Sequence, residues 1–251
     1  MDLHGQVALV TGGAVRLGRA IVLGLAQAGC HVVVHYHRSA SAAEETVAAA
    51  RRLGVEAVAL PADLADPAAA SALARAAMER LGRVDILVHS ASPFVPGGLL
   101  DTTPETWRQV MGVLVDSLFF MAQELAPGMI ERGEGNIVAI LDRGAFDAWP
   151  RFLAHGVGKS ALWALVRHLA IALAPHVRAN GIVPGPVLPP PGYTAGQQER
   201  IAAGTLLQRW GGPQDVVDAV IFLVRSDYIT GEALFVDGGE RWAHRRERAA
   251  P

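Results

Sequence analysis

The single lysine of this 251-residue chain, Lys159, stands four residues after His155 in the stretch Phe-Leu-Ala-His-Gly-Val-Gly-Lys-Ser-Ala-Leu, 152–162. Beside 21 arginines, a lone lysine marks a position where a planar guanidinium fork would not serve. At i and i+4 on a helix, imidazole and ammonium share a face, and the positive charge favours the neutral ring. A neutral imidazole still donates one N–H to a developing oxyanion, and an ordinary histidine is a competent proton donor near neutral pH. Asp142 offers a second acid. If a closed site desolvates it, its pKa rises and it protonates a ring nitrogen of a bound heterocycle; the alternative is a permanently ionised partner of Arg143, His155 or Lys159.

A second group of residues reads as a phosphate site. The apolar run Val7 to Val10 enters Thr11-Gly12-Gly13-Ala14-Val15-Arg16-Leu17-Gly18 and then a helical stretch, Arg19 to Ala28. Strand, glycine turn and helix N-terminus supply what a dinucleotide pyrophosphate needs: close backbone approach, free N–H groups and a favourable dipole. A ribose 2′-hydroxyl is usually held by a carboxylate at the end of the second strand, whereas a 2′-phosphate needs cations and hydroxyls. No Asp or Glu stands between His31 and Ser41, while Arg16, His37, Arg38 and Ser39 can converge there. NADPH is therefore expected over NADH.

Positioning these groups requires a sheet. Short runs rich in Val, Ile and Leu (Val7 to Val10, Val32 to His35, Val55 to Leu60, Ile86 to His89, Ile137 to Leu141, Gly181 to Val183, Ala233 to Val236) alternate with Ala-rich helical stretches. That rhythm predicts an α/β fold: a single doubly wound Rossmann domain, a seven-stranded parallel sheet with helices on both faces. The domain is expected over 1–240, with 241–251 a solvated basic tail. The prolines of Pro184 to Gly192 exclude helix and central strand and predict an active-site lid running to about Ile201, with Tyr193 in it; Trp149 and Trp210 are candidate cavity walls.

Net charge is −2, which leaves no basic field for nucleic acid. The one cysteine, Cys30, cannot form an internal disulfide and reads as a buried hydrophobe of a reducing compartment, the cytoplasm. The N-terminal apolar run is too short for a signal peptide or a membrane span. No His/Cys/Asp spacing suggests a metal site, and Ser160 has no partner set for nucleophilic catalysis. His31, His35 and His89 sit at strand ends and read as structural.

From Gly5 to Gly239 the chain resembles the short-chain dehydrogenase/reductase family. Thr11 to Gly18 stands for its glycine loop, with Arg16 in place of the middle glycine. Val177-Arg-Ala-Asn-Gly-Ile-Val-Pro-Gly185 and Ile229 to Gly239 match later motifs. Pteridine reductases look closest: they share the loop arginine, the His35-Tyr36-His37-Arg38-Ser39 run, an aspartate at Asp142 and a pterin-stacking phenylalanine at Phe94. The resemblance implies cofactor contacts from Thr11, Gly12, Arg16, Leu17, Gly18, Asp63, Leu64, Ser90, Ala91, Ser92, Lys159, Pro184, Gly185 and Val187, with Phe94, Trp149 and Tyr193 at the substrate. It also implies a homotetramer. Three of the four general catalytic positions depart from the family: Leu114 replaces Asn, Asp142 replaces Ser and His155 replaces Tyr, while Lys159 is retained. His89-Ser90-Ala91-Ser92 stands for Asn-Asn-Ala-Gly.

The expected activity is hydride transfer from NADPH to a flat conjugated substrate, pterin-like or another carbonyl or imine compound, with Asp142, His155 and Lys159 at the proton-donating site. Because imidazole is shorter than phenol by roughly 2 Å, His155 is expected to donate through a bridging water. The alternative is an NADP(H)-binding protein whose catalytic site has degraded, serving as a sensor or a non-catalytic subunit.

Overall fold

The computed structural model describes residues 1–190 and 192–245. Seven apolar runs become β1 (Val7–Val10), β2 (His31–Tyr36), β3 (Ala57–Pro61), β4 (Ile86–His89), β5 (Gly135–Ile140), β6 (Val177–Pro184) and β7 (Ala233–Val236). They pair in parallel in the order β3-β2-β1-β4-β5-β6-β7. Strand period 2 sends alternate residues to opposite faces. Ala8, Val10, Val32, Val34, Ile86 and Val88 pack under α1 (Arg16–Gln27), α2 (Ala40–Arg52) and α8 (Pro213–Arg225). Val7, Leu9, Val33 and Leu87 pack under α3 (Pro67–Leu81), α5 (Ser117–Glu131) and α6 (Leu153–Ala172). Two apolar faces explain why the strands read as continuous hydrophobic runs.

The chain reverses its winding between β1 and β4, and such a switch point opens a crevice at the carboxyl ends of the strands. Three loops meet there: β1–α1, β4–α4 (α4 is Pro104–Met111) and β5–α6. The helix expected as one piece from Pro104 to about Ile130 is broken by a π-helical turn at Gly112–Asp116. Gly112 lies against the Ala65 backbone, where a Cβ would come within 2.7 Å of the carbonyl oxygen, so this helix approaches the β3–α3 loop closely. By length and apolarity 104–131 would also pass as a membrane span; its Leu118, Met121, Leu125 and Met129 are instead buried in the core.

The expected lid is in part regular: after β6 the chain runs irregularly and then forms α7 (Ala195–Ala203), opened by a capping box between Thr194 and Gln197. The basic tail also differs from expectation where it is described. Residues Glu240–Arg245 form a 3₁₀ turn in which the Arg241 guanidinium lies 3.6 Å from the Phe235 ring centroid, while Trp242, His244 and Arg245 are exposed. Residues 246–251 lie outside the described residues.

Candidate active site

A cleft of about 660 Å³ opens at the switch point. Gly12, Arg16, Leu17, Gly18, His37, Ser90, Ala91, Ser92, Lys159, Pro184, Gly185 and Val187 line it at one end, and Phe94, Asp142, Trp149, Tyr193 and Trp210 at the other. The glycine loop is shaped by close approach. Gly12 has φ 63° and an added Cβ would stand 3.1 Å from the Ala91 Cα; at Gly18 it would overlap the Gly12 carbonyl. The α1 helix has Val15 at its N-cap and no side-chain cap, so its first N–H groups are free for an anion. A backbone cradle beside an uncapped helix end fits a dinucleotide pyrophosphate.

Other expected cofactor residues have different places. Thr11 is fully buried and its Oγ1 accepts hydrogen bonds from the amides of Ser90 and Ala91 at 2.9 and 3.0 Å; it staples two loops together rather than facing the cleft. The Leu64 side chain is buried in the core. Arg38 and Ser39 are exposed beyond the cleft lining, at the end of β2. His37 lies 3.8 Å from the Asp63 carboxylate. Arg16, with φ 51°, directs its guanidinium to the lid, 3.3 Å from the carbonyls of Leu188 and Pro189. His35 props the glycine loop: its Nδ1 accepts from the Gly12 amide at 3.0 Å and its Nε2 meets the Ala62 carbonyl at 3.1 Å.

At the chemical end, the order of the expected groups is reversed. His155 is 1% exposed and does not line the cleft. Its Nδ1 lies 2.9 Å from the Pro93 carbonyl and its Nε2 2.6 Å from Asp142 Oδ2. A carbonyl only accepts, so Nδ1 carries a proton, and the Nε2–Oδ2 bond contains one more. With both ring nitrogens engaged and the ring enclosed, donation from His155 through a water to a substrate has no path, and that expectation is corrected. Asp142 is the member of the pair that faces the cleft.

Burial opposes ionisation of Asp142, yet the His155 hydrogen bond, the Lys159 charge and the Gly144 amide together hold its pKa below the ordinary carboxylate value. Of the two readings of Asp142, a carboxyl raised by desolvation or an ionised partner, this direction favours the ionised partner of His155. One proton is shared along the Nε2–Oδ2 bond.

Lys159 is 2% exposed, and its Nζ donates to the Ile140 carbonyl at 2.7 Å. Burial pushes its pKa down to about 8 against the opposing pull of Asp142. Leu114, in the π-helical turn, forms an apolar plug with Val110 and Ala154; an added Cβ on Gly158 would come within 2.7 Å of its Cδ1. The small residue at 158 makes the space that leucine fills.

Phe94 is 57% exposed and lines the cleft, stacked on Phe152 at 4.2 Å and edge-on to His155 at 4.9 Å. Trp149 lies parallel to the imidazole at 6.3 Å. Sequence reasoning missed Arg143 and Glu240 as cleft residues. Arg143 was visible beside Asp142, but Glu240 is the last residue of the expected domain and opens a turn that continues into the expected tail.

The fold and cleft define a dinucleotide-binding α/β protein. Residues 13–240 match the family model described as Enoyl-(Acyl carrier protein) reductase. An L-rhamnose 1-dehydrogenase (NAD(P)(+)) of Sphingomonas sp. is 34% identical over 94% of this chain and 96% of its own length. The crystal structure of FolM Alternative dihydrofolate reductase 1 from Brucella canis, complexed with NADP, superimposes with a TM-score of 0.89 at 31% identity, covering 96% of each chain. A blue fluorescent protein from a metagenomic library, in complex with NADPH, gives 0.88 at 32% identity, over 96% of this chain and 99% of that one. The chain belongs to the short-chain dehydrogenase/reductase family of NAD(P)-dependent oxidoreductases.

Proposed function

We propose that this protein is an NADPH-dependent reductase of a flat conjugated substrate of pterin-like type, with the Asp142–His155 pair as its proton store. The observation that carries the reading is the 2.6 Å bond between a cleft-facing carboxylate and a fully enclosed imidazole. When bound, NADPH supplies a hydride; the chain's own residues must supply one proton to the nitrogen or oxygen beside the reduced carbon. The proton shared in the Nε2–Oδ2 bond passes to the substrate through Asp142, the member of the pair that faces the cleft. His155 is in this sense a positioning and reservoir residue, while Asp142 touches the substrate. Phe94 and Trp149 offer faces for a planar ring, and the similarity to a dihydrofolate reductase structure supports the substrate class.

Preference for NADPH is supported by the absence of a carboxylate between His31 and Ser41 and by Arg38 and Ser39, exposed at the end of β2 just beyond the cleft lining. A homotetramer is supported by apolar residues left exposed along 104–131 and α6, namely Trp107, Phe119, Ile130, Val157 and Ile171, and by Phe222 and Tyr228 near β7. The absence of any second cysteine supports a cytoplasmic location. One observation favours the rival reading of an NADP(H)-binding protein without turnover: Leu114, in an apolar plug with Val110 and Ala154, offers no side-chain amide to hold a water relay.

The test is NADPH oxidation with 7,8-dihydropterins, quinones and simple ketones between about pH 5 and 8. Turnover of the dihydropterins is expected, and Asp142→Asn should lower kcat by roughly 10²- to 10⁴-fold while leaving NADPH affinity unchanged. Tight NADPH binding with no turnover of any substrate would establish the rival.

A further inference from the structure

Beyond Asp142 the cleft wall continues into a charged cluster with no part in the proton path. Arg143, in the turn after β5, faces two carboxylates. Its Nε and Nη2 donate to Asp147 Oδ2 at 2.9 and 2.6 Å, and its Nη1 lies 2.9 Å from Glu240 Oε1. Arg143 and Glu240 line the cleft while Asp147 stands behind them. One guanidinium against two carboxylates leaves one negative charge. The Asp142–His155 pair adds none, because the two protons its hydrogen bonds require leave it neutral wherever the shared one lies, and Lys159 is turned toward the Ile140 carbonyl.

The position of Glu240 is fixed rather than accidental. Asp237 accepts from the amides of Gly239 and Arg241 at 2.9 and 3.1 Å, which shapes the turn, and the Arg241 guanidinium stacks on Phe235. A carboxylate in a wall with Asp237 and Asp147 nearby carries its charge at a cost: burial first, then these neighbours, raise its pKa against the pull of Arg143. A bound group that brings N–H donors or positive charge relieves that cost.

We propose that Glu240, held by Arg143, is a specificity-determining residue that selects substrates presenting an amidine-like N–H edge and rejects those presenting a carboxylate or phosphate. This rests on the reading of the cleft as a reductase site. The same wall disfavours an acidic sugar or a phosphorylated carrier arm and suits a ring bearing an amino group beside a ring N–H.

The decisive probes are two flat molecules of equal size and opposite charge, benzamidine and benzoate, titrated into the NADP⁺-loaded protein by tryptophan fluorescence. Benzamidine should bind at least about tenfold more tightly than benzoate. Glu240→Gln should bring the ratio close to one and Glu240→Asp should keep it, both with NADP⁺ affinity unchanged. A ratio near one in the unaltered protein, or one that Glu240→Gln does not move, overturns the proposal. Pterin and lumazine, which differ only by an amino group in place of an oxo group, test the substrate class separately. Failure of both to bind while the benzamidine preference stands would remove the pterin reading and keep the charged wall; pterin binding without any benzamidine preference would do the reverse.

Discussion

Two buried neutral histidines should make this protein acid-sensitive well above the carboxylate range. Burial lowers the pKa of His35 from 6.5 to about 4 against the opposing Ala62 hydrogen bond. Burial, with the Lys159 charge adding to it, lowers that of His89 to about 3. Both folded values lie below the unfolded one, so between 6.5 and the folded pKa the unfolded chain binds more protons and stability falls as pH falls. At about pH 5 an unfolded ring is almost fully protonated and a folded one almost not at all, which costs about 2 kcal/mol per histidine, or about 4 kcal/mol for the pair, relative to about pH 7.5. Carboxylates contribute little over that span: Asp142 loses its stabilisation only as pH falls from the ordinary carboxylate value through its depressed one, and Glu240, whose pKa is raised, gains slightly. Urea unfolding of the cofactor-free protein at fixed concentration should show the midpoint dropping by more than about 1 M, for an m-value near 3 kcal/mol/M. His35→Gln, whose amide can accept from Gly12 and donate to Ala62, should halve the pH effect. An equal drop in the His35→Gln protein would refute the assignment of this term to His35.

Three further outcomes are expected. Arg38→Asp should weaken NADPH binding by about tenfold or more and leave NADH little changed, measured as dissociation constants by cofactor fluorescence. Gly158→Ala should destabilise by about 1–3 kcal/mol, because its Cβ overpacks against Leu114, and should cost much less when added to Leu114→Ala, read from thermal or urea unfolding as a double-mutant cycle. His155→Tyr should abolish rather than raise turnover: a phenol reaching roughly 2 Å further than imidazole would run into a carboxylate that now stands 2.6 Å from Nε2.

The strands were legible because a two-sided parallel sheet demands near-continuous apolar runs, and β1, β4 and β7 fall at the expected residues. β5 and β6 begin earlier than expected because Gly135, Asn136 and Arg178 interrupt the apolar pattern while their backbones still pair. The glycine cradle was legible for the same kind of reason, since close backbone approach leaves glycine as the residue that fits. The π-helical turn was not, because Gly-Val-Leu-Val-Asp has the composition of any helix interior and the extra residue per turn is imposed by packing at Gly112 and Leu114. The i, i+4 spacing put His155 and Lys159 on one face correctly but carried no depth: Phe94, Pro93 and Trp149 come from other segments and cover the ring.

That missing depth changes the chemistry assigned to the chain. If His155 faced the cleft, the departures at 114, 142 and 155 would read as independent losses, and a degraded site would be the simpler account. With His155 enclosed behind Asp142, two of the departures form one device: the shorter imidazole leaves space for a carboxylate to stand in front of it, and the carboxylate is the hydrogen-bond partner that the enclosed ring nitrogen needs. Leu114 is the departure left outside the pair. With Val110 and Ala154 it fills the apolar space beside Gly158, so the shared proton is replaced from the cleft side, where Asp142 stands.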